Sequence, residues 1–156
     1  GALTRHQLES IFLYADETRV VTFALSGARL RELLEHSVSP RILGGGGSLQ
    51  VSGIRLRYDP KGAAGSRLVG PVERDDGRVI GPTDTLTVSL VAFPACRGGD
   101  GYRVPEAAAA CAALDANPTG APRTVDLLMR HLEERLAGEV RVPVGGRIGP
   151  YASKGN

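Results

Sequence analysis

Three stretches of the chain are predicted to be β-strands, the first because it is rich in β-branched and aromatic residues and the other two because apolar and polar residues alternate in them. The stretches are residues 20–25, 49–58 and 84–92. The alternation is clearest at 54–58, where isoleucine, leucine and tyrosine are separated by two arginines. Between the second and third stretches, Asp75-Asp76-Gly77 contains an Asp-Gly pair, which favours a tight hairpin turn. The pattern therefore predicts strands that are joined in part by hairpins.

Apolar residues spaced three or four apart predict four helices. The predicted helices are residues 3–14, the stretch between Ser26 and Pro40, residues 105–114 and residues 124–137. Thr4 followed by Gln7 matches a capping box at the start of the first helix. Ser26 is expected to cap the second helix and Pro40 to stop it, with a glycine-rich loop at 44–47.

Strands mixed with helices predict an α/β protein of the α+β type, in which helices pack outside a mixed β-sheet containing hairpins. A chain of 156 residues lies within the usual range for one domain. No stretch has the composition of a linker. We predict a single domain over residues 1–150, followed by a tail at 151–156.

Composition and charge argue against several classes of function. With 19 basic and 17 acidic residues, the net charge of +2 is too small to indicate a nucleic-acid-binding surface. No apolar run approaches the roughly 18 residues that a membrane-spanning helix needs. The two cysteines, Cys96 and Cys111, could pair in an oxidising compartment or remain as free thiols.

Residues 93–102, here called the aromatic segment, contain the side chains best suited to binding a ligand. The ring of Phe93 can stack on a nucleobase for about 1–3 kcal/mol. The carboxylate of Asp100 can accept hydrogen bonds from ribose hydroxyls, each worth about 1.5–3 kcal/mol. The glycines around it permit a sharp turn and a close approach of the backbone. The segment predicts a nucleoside-binding site.

Other candidates for chemistry have simpler explanations. The three histidines, at positions 6, 36 and 131, have no metal-ligand spacing, so no metal site is predicted. Gly44 to Gly47 lack the lysine and hydroxyl residue of a P-loop, which favours a connecting loop. The chain offers no nucleophile, acid–base pair or metal centre, so we predict no catalytic residues and no activity for the chain alone.

Five motifs, in order, resemble those of the C-terminal domain of 5′-nucleotidases and UDP-sugar hydrolases. They are LSGARLRELLEHSV at 25–38, LQVSGI at 49–54 followed by Tyr58-Asp59, AGSRLV at 64–69, Phe93 with GGDGY at 98–102, and VGGRI at 144–148. Together they extend over about residues 3–148. The resemblance implies the fold of that domain within a two-domain hydrolase that is usually secreted, periplasmic or attached to the cell surface.

The resemblance also implies roles for individual residues. Phe93 would be one of two rings that hold the nucleobase, and Asp100 the ribose acceptor. Gly98, Gly99 and Gly53 would shape the pocket wall. Nucleosides or nucleotides would be the ligands. The partner would be an N-terminal metallophosphoesterase domain whose two divalent metals activate water and polarise the phosphate.

The resemblance is incomplete where the family has a Pro-Phe turn carrying the second ring. Here the segment is Tyr14-Ala15-Asp16-Glu17-Thr18, so that either Tyr14 supplies the second ring or half of the clamp is missing. One alternative is a domain-packing module with a degenerate nucleoside clamp. Another is the same domain from an enzyme acting on cyclic nucleotides, nucleotide sugars or thiosulfate-type esters.

Overall fold

A computed structural model describes residues 4–10, 12, 18–138 and 147–150. The helices are α1 (Arg5–Glu9), α2 (Gly27–Ser37), α3 (Pro40–Gly45), α4 (Ala92–Cys96), α5 (Ala108–Ala116) and α6 (Thr124–Glu134). The strands are β1 (Val20–Ser26), β2 (Ile54–Tyr58), β3 (Glu73–Arg74), β4 (Thr85–Val91) and β5 (Ile148–Pro150). Short 3-10 turns lie at Gly99–Gly101 and Pro105–Ala107. The mixed α/β class predicted from the sequence is confirmed.

Backbone contacts divide the chain into two compact units, each made of two segments. The first unit comprises Gly1–Ala24 and Thr87–Pro143, and the second comprises Leu25–Leu86 and Val144–Asn156. β1 and β4 are hydrogen-bonded neighbours. The single domain over residues 1–150 and the tail at 151–156 stay predictions.

The first unit contains helices α1, α4, α5 and α6. The predicted capping box at α1 is confirmed, because Gln7 N donates to Thr4 Oγ1 and Thr4 N donates to Gln7 Oε1. The helix ends at Glu9, sooner than the apolar spacing predicted. Tyr102 and Val125 are among the most deeply buried side chains of this unit. Burial of Tyr102 anchors the end of the aromatic segment in the core.

The second unit is built on helix α2 and a three-stranded sheet in the order β3-β2-β5. Ser26 caps α2 as predicted, accepting a hydrogen bond from Arg29 N, and the apolar face of the helix is buried. β2 pairs antiparallel with β3 and parallel with β5. The predicted hairpin turn is also confirmed: Gly77, at φ +84°, donates its N–H to Arg74 O over 2.9 Å.

Two local predictions in the second unit were wrong. α2 ends before Pro40, as predicted, but Pro40 also begins helix α3, because its missing N–H and fixed φ suit the first helical position. The glycine loop therefore starts later, at Gly46. Residues 49–53 are not part of β2. Leu49 N donates to the hydroxyl of Ser37 over 2.8 Å, a side-chain partner rather than a neighbouring strand.

Candidate functional site

Phe93 lies on helix α4, which follows β4 directly. If the alternation of residues 84–92 continued to Phe93, its ring would be in phase with the polar residues of that strand, which predicts an exposed side chain. Phe93 is 58% exposed. The backbone is not a strand there, however, since Ala92–Cys96 is helical. Ala92 N donates to Arg19 O over 2.8 Å, which fixes the start of the helix. A large apolar ring is thereby presented to solvent.

Gly99 supports the ring of Phe93. A Cβ atom built on Gly99 would lie 2.2 Å from Cε1 and 2.3 Å from Cδ1 of Phe93. No real side chain tolerates such a distance, so the ring occupies the space that any other residue would fill. Gly99 was predicted to shape a pocket wall; in the structure it is the seat of the ring, and it is buried.

Asp100 follows Gly99 in a turn whose residues mostly have a left-handed backbone conformation. Gly98, Asp100 and Gly101 have φ angles of +64°, +55° and +80°. Aspartate adopts this conformation more readily than most residues with a side chain. Gly101 N donates to Gly98 O, and Tyr102 N donates to Gly99 O. The turn leaves Asp100 exposed at its tip, one residue beyond the seat of the Phe93 ring.

A disulfide joins α4 to α5, a pairing that the sequence left open. Cys96, the last residue of α4, is bonded to Cys111. Beside it, the guanidinium of Arg97 forms an ion pair with Asp115 of α5. The hydrogen bond from Arg97 holds the pKa of Asp115 below its ordinary value, so this carboxylate stays ionised to a lower pH than a free aspartate does. The disulfide and the ion pair both connect the end of α4 to α5.

A groove of about 470 Å³ lies next to the aromatic segment. Both cysteines line it, together with Gly98, Tyr102, Arg103 and Pro105 among others. Neither Phe93 nor Asp100 belongs to its lining. The groove therefore gives access to the disulfide rather than to the ring.

Gly53 and Tyr14 are the other two predicted site residues. Gly53 belongs to the second unit, where it precedes β2 with φ +80° and accepts a hydrogen bond from Asp75 N. Tyr14 lies outside the described residues, so its prediction as second ring stays a prediction. The structure thus assembles Phe93, Gly98, Gly99 and Asp100 within one short segment of one unit.

Within the described ranges, no three histidine, cysteine, aspartate or glutamate side chains are grouped so as to hold a metal ion. No helix of the same ranges is both long and apolar enough to cross a bilayer.

Solved structures share this fold. The 5′-nucleotidase precursor from Thermus thermophilus aligns over 97% of this chain and 28% of its own, with a TM-score of 0.71 and 26% identity. The NAD nucleotidase of Haemophilus influenzae aligns over 97% of this chain and 27% of its own, with a TM-score of 0.71 and 15% identity. The fold is therefore that of a 5′-nucleotidase C-terminal domain.

The sequence supports the same assignment. Residues 1–107 match the profile of the family described as 5′-nucleotidase, C-terminal domain, and the chain belongs to this family. An apyrase of Tabanus yao is 37% identical over 111 residues, which are 65% of this chain and 20% of the apyrase. The chain thus spans well under a third of the length of each of these relatives.

Proposed function

We propose that this chain is the nucleoside- or nucleotide-recognition domain of a 5′-nucleotidase-type phosphoester hydrolase. The observation that supports it best is an exposed ring, that of Phe93, held on Gly99 directly before the exposed Asp100. Although the ring packs on Gly99, more than half of the surface of Phe93 is left in solvent. Its face can stack on a nucleobase, and the carboxylate of Asp100 lies on an exposed turn that ribose hydroxyls can reach.

The proposal also separates substrate binding from hydrolysis, which it assigns to different domains of the parent protein. The described residues offer no ligand set that fits a pair of divalent metals. As the family resemblance implies, the proposal assigns the metals and the hydrolysis to an N-terminal metallophosphoesterase domain, and this chain supplies binding and orientation of the nucleoside. An extracellular, periplasmic or cell-surface location is supported by the Cys96–Cys111 disulfide, because such bonds persist in oxidising compartments.

Replacing Phe93 by alanine tests the stacking role. We expect Phe93→Ala to weaken nucleoside binding about 5- to 150-fold, because one ring–base stack is worth about 1–3 kcal/mol. The measurement is titration with adenosine, guanosine, cytidine and uridine, monitored by calorimetry or NMR. Phe93→Trp, which keeps an aromatic face, should retain binding, whereas Phe93→Leu, which keeps only apolar bulk, should not.

Truncation of an exposed apolar residue elsewhere, Val79→Ala, is the matched control and should leave affinity unchanged. Equal affinity of Phe93→Ala and the unaltered chain would contradict the stacking role. If the unaltered chain bound none of the four nucleosides at millimolar concentration, the domain-packing alternative would replace the proposal.

Asp100→Asn tests the ribose contact without disturbing the turn, because asparagine also tolerates a left-handed backbone. A hydrogen bond to a charged acceptor is worth about 1 kcal/mol more than one to a neutral acceptor, so adenosine should bind about 5-fold more weakly. Binding of 2′,3′-dideoxyadenosine, which lacks both hydroxyls, should not change. An equal loss for both ligands would show that Asp100 does not contact the ribose.

A further inference from the structure

We infer that the Cys96–Cys111 disulfide positions the ring of Phe93, so that its reduction weakens nucleoside binding while the chain stays folded. The inference rests on the proposed function, because it assigns a controlling element to the same binding site. The disulfide lies within the aromatic segment: Phe93 is three residues before Cys96, and its seat Gly99 is three residues after. The positions of both contacting residues, Phe93 and Gly99, thus depend on the position of Cys96 between them.

Helix α4 cannot hold that position by itself. It has five residues, far fewer than an isolated helix needs to be stable in water, and its first residue has no side-chain cap. Three of its residues, Ala92, Pro94 and Ala95, pack into the core, and two attachments fix its ends. One is the hydrogen bond from Ala92 N to Arg19 O at its start, and the other is the covalent link to α5 at its end.

The ion pair between Arg97 and Asp115 is a weak substitute for the disulfide. Its side chains are 57% and 53% exposed, and exposed ion pairs contribute little to stability because water and salt screen them. Arg97 N also donates to Phe93 O over 3.2 Å, but this bond lies within the segment and does not tie it to α5. Once the disulfide is broken, no covalent bond holds the end of α4 against α5, and its position depends on the exposed ion pair and on the packing of the buried residues of α4.

A small thiol can reach the bond. Both cysteines are only partly buried, and both line the groove of about 470 Å³. Reduction by a dithiol proceeds in two exchanges. One thiolate of the reagent attacks the sulfur of one cysteine, forms a mixed disulfide and releases the other cysteine as a thiolate. The second thiolate of the reagent then attacks the reagent sulfur of the mixed disulfide and releases the first cysteine. The reagent is oxidised to its cyclic disulfide, and Cys96 and Cys111 are each left as a thiol.

Phe93→Trp provides a direct probe, since the chain contains no tryptophan. The introduced indole would be the only one present, at the position of the ring under test. We expect dithiothreitol to lower its fluorescence anisotropy and to increase its quenching by acrylamide. In the unaltered chain, the affinity for adenosine should fall about 3- to 10-fold on reduction, as expected when the binding-competent arrangement drops to between about a third and a tenth of the population.

Three controls accompany this experiment. Val79→Trp, an exposed probe in the second unit, should not respond to dithiothreitol. The triple variant Phe93→Trp, Cys96→Ala, Cys111→Ala should show the low anisotropy and strong acrylamide quenching without any reductant. Addition of dithiothreitol should change neither value. Gly99→Ala in the Phe93→Trp chain removes the contact with the ring but keeps the disulfide. This variant should bind adenosine more weakly, as the reduced chain does, and it can be measured even if the variant without cysteines does not fold.

The outcomes separate this inference from the proposed function. Unchanged anisotropy and quenching of the introduced indole on reduction would overturn the inference, whether or not adenosine binds. A far-UV circular dichroism spectrum of an unfolded chain on reduction would overturn it too, by assigning the disulfide to overall stability. Suppose that reduction changes the anisotropy and quenching of the indole but the unaltered chain binds no adenosine, oxidised or reduced. The disulfide would then position residue 93, and the proposed nucleoside recognition would be contradicted.

Discussion

Gly27→Ala is expected to destabilise the protein by about 3 kcal/mol or more, because the new methyl group would collide with backbone. A Cβ atom on Gly27 would lie 2.0 Å from the carbonyl oxygen of Gly81 and 3.0 Å from Cγ2 of Ile80. The backbone cannot easily move away. Gly27 N donates to Asp84 O and Ala28 N donates to Pro82 O, both over 2.9 Å, so the start of α2 is fixed against this loop.

Urea unfolding monitored by circular dichroism would measure this effect, and the chain contains a matched control. Gly44 is also a helical glycine of the second unit, but nothing lies within 4 Å of a Cβ atom built there. Gly44→Ala should therefore stabilise the protein by up to about 1 kcal/mol, through the lower backbone entropy of alanine in the unfolded chain. Similar stabilities of the two variants would show that the contact between Gly27 and Gly81 is not as close as described.

Loss of the disulfide is expected to lower the free energy of unfolding by about 3 kcal/mol. Cys96 and Cys111 are 15 residues apart in the sequence, and closing a loop of that length restricts the unfolded chain by about this amount. The urea midpoint should fall when dithiothreitol is added. The dependence of the free energy on urea concentration should steepen, because the reduced unfolded chain exposes more surface.

The double variant Cys96→Ala, Cys111→Ala is the control for side effects of the reductant. It should unfold at a lower urea concentration than the unaltered chain, with and without dithiothreitol alike. A single midpoint for the unaltered chain in both conditions would contradict the prediction that the bond contributes to stability.

The parts of the fold that could be predicted from the sequence are those that local physics decides. The capping box at Thr4 needs only a hydroxyl and an amide three residues apart, and the hairpin at Gly77 needs only a glycine at positive φ. The wrong predictions depended on partners distant in sequence. Residues 49–53 alternate like a strand, but the hydroxyl of Ser37 accepts the hydrogen bond from Leu49 N instead.

The candidate site was predictable in its residue types but not in its geometry. The phase of β4 indicated that Phe93 would not share the apolar face, and its exposure agrees with this. Pairing of Cys96 with Cys111 could not be derived, because two cysteines alone carry no information on their distance. The seat at Gly99 was missed for a similar reason, since contact between residues six apart requires the helix and the turn between them. The sequence did contain one indication of this contact, the pair Gly98-Gly99 shortly after Phe93.

The place of β5 in the sheet has a consequence for synthesis of the chain. β2 has β3 on one side, but its other neighbour, β5, is not translated until residues 148–150. While the ribosome makes the intervening residues, the nascent strand keeps one edge of open N–H and carbonyl groups, which neighbouring nascent chains on the same messenger could pair with. Arg55 and Arg57 are exposed on that strand, and their like charges would repel a second copy during this interval.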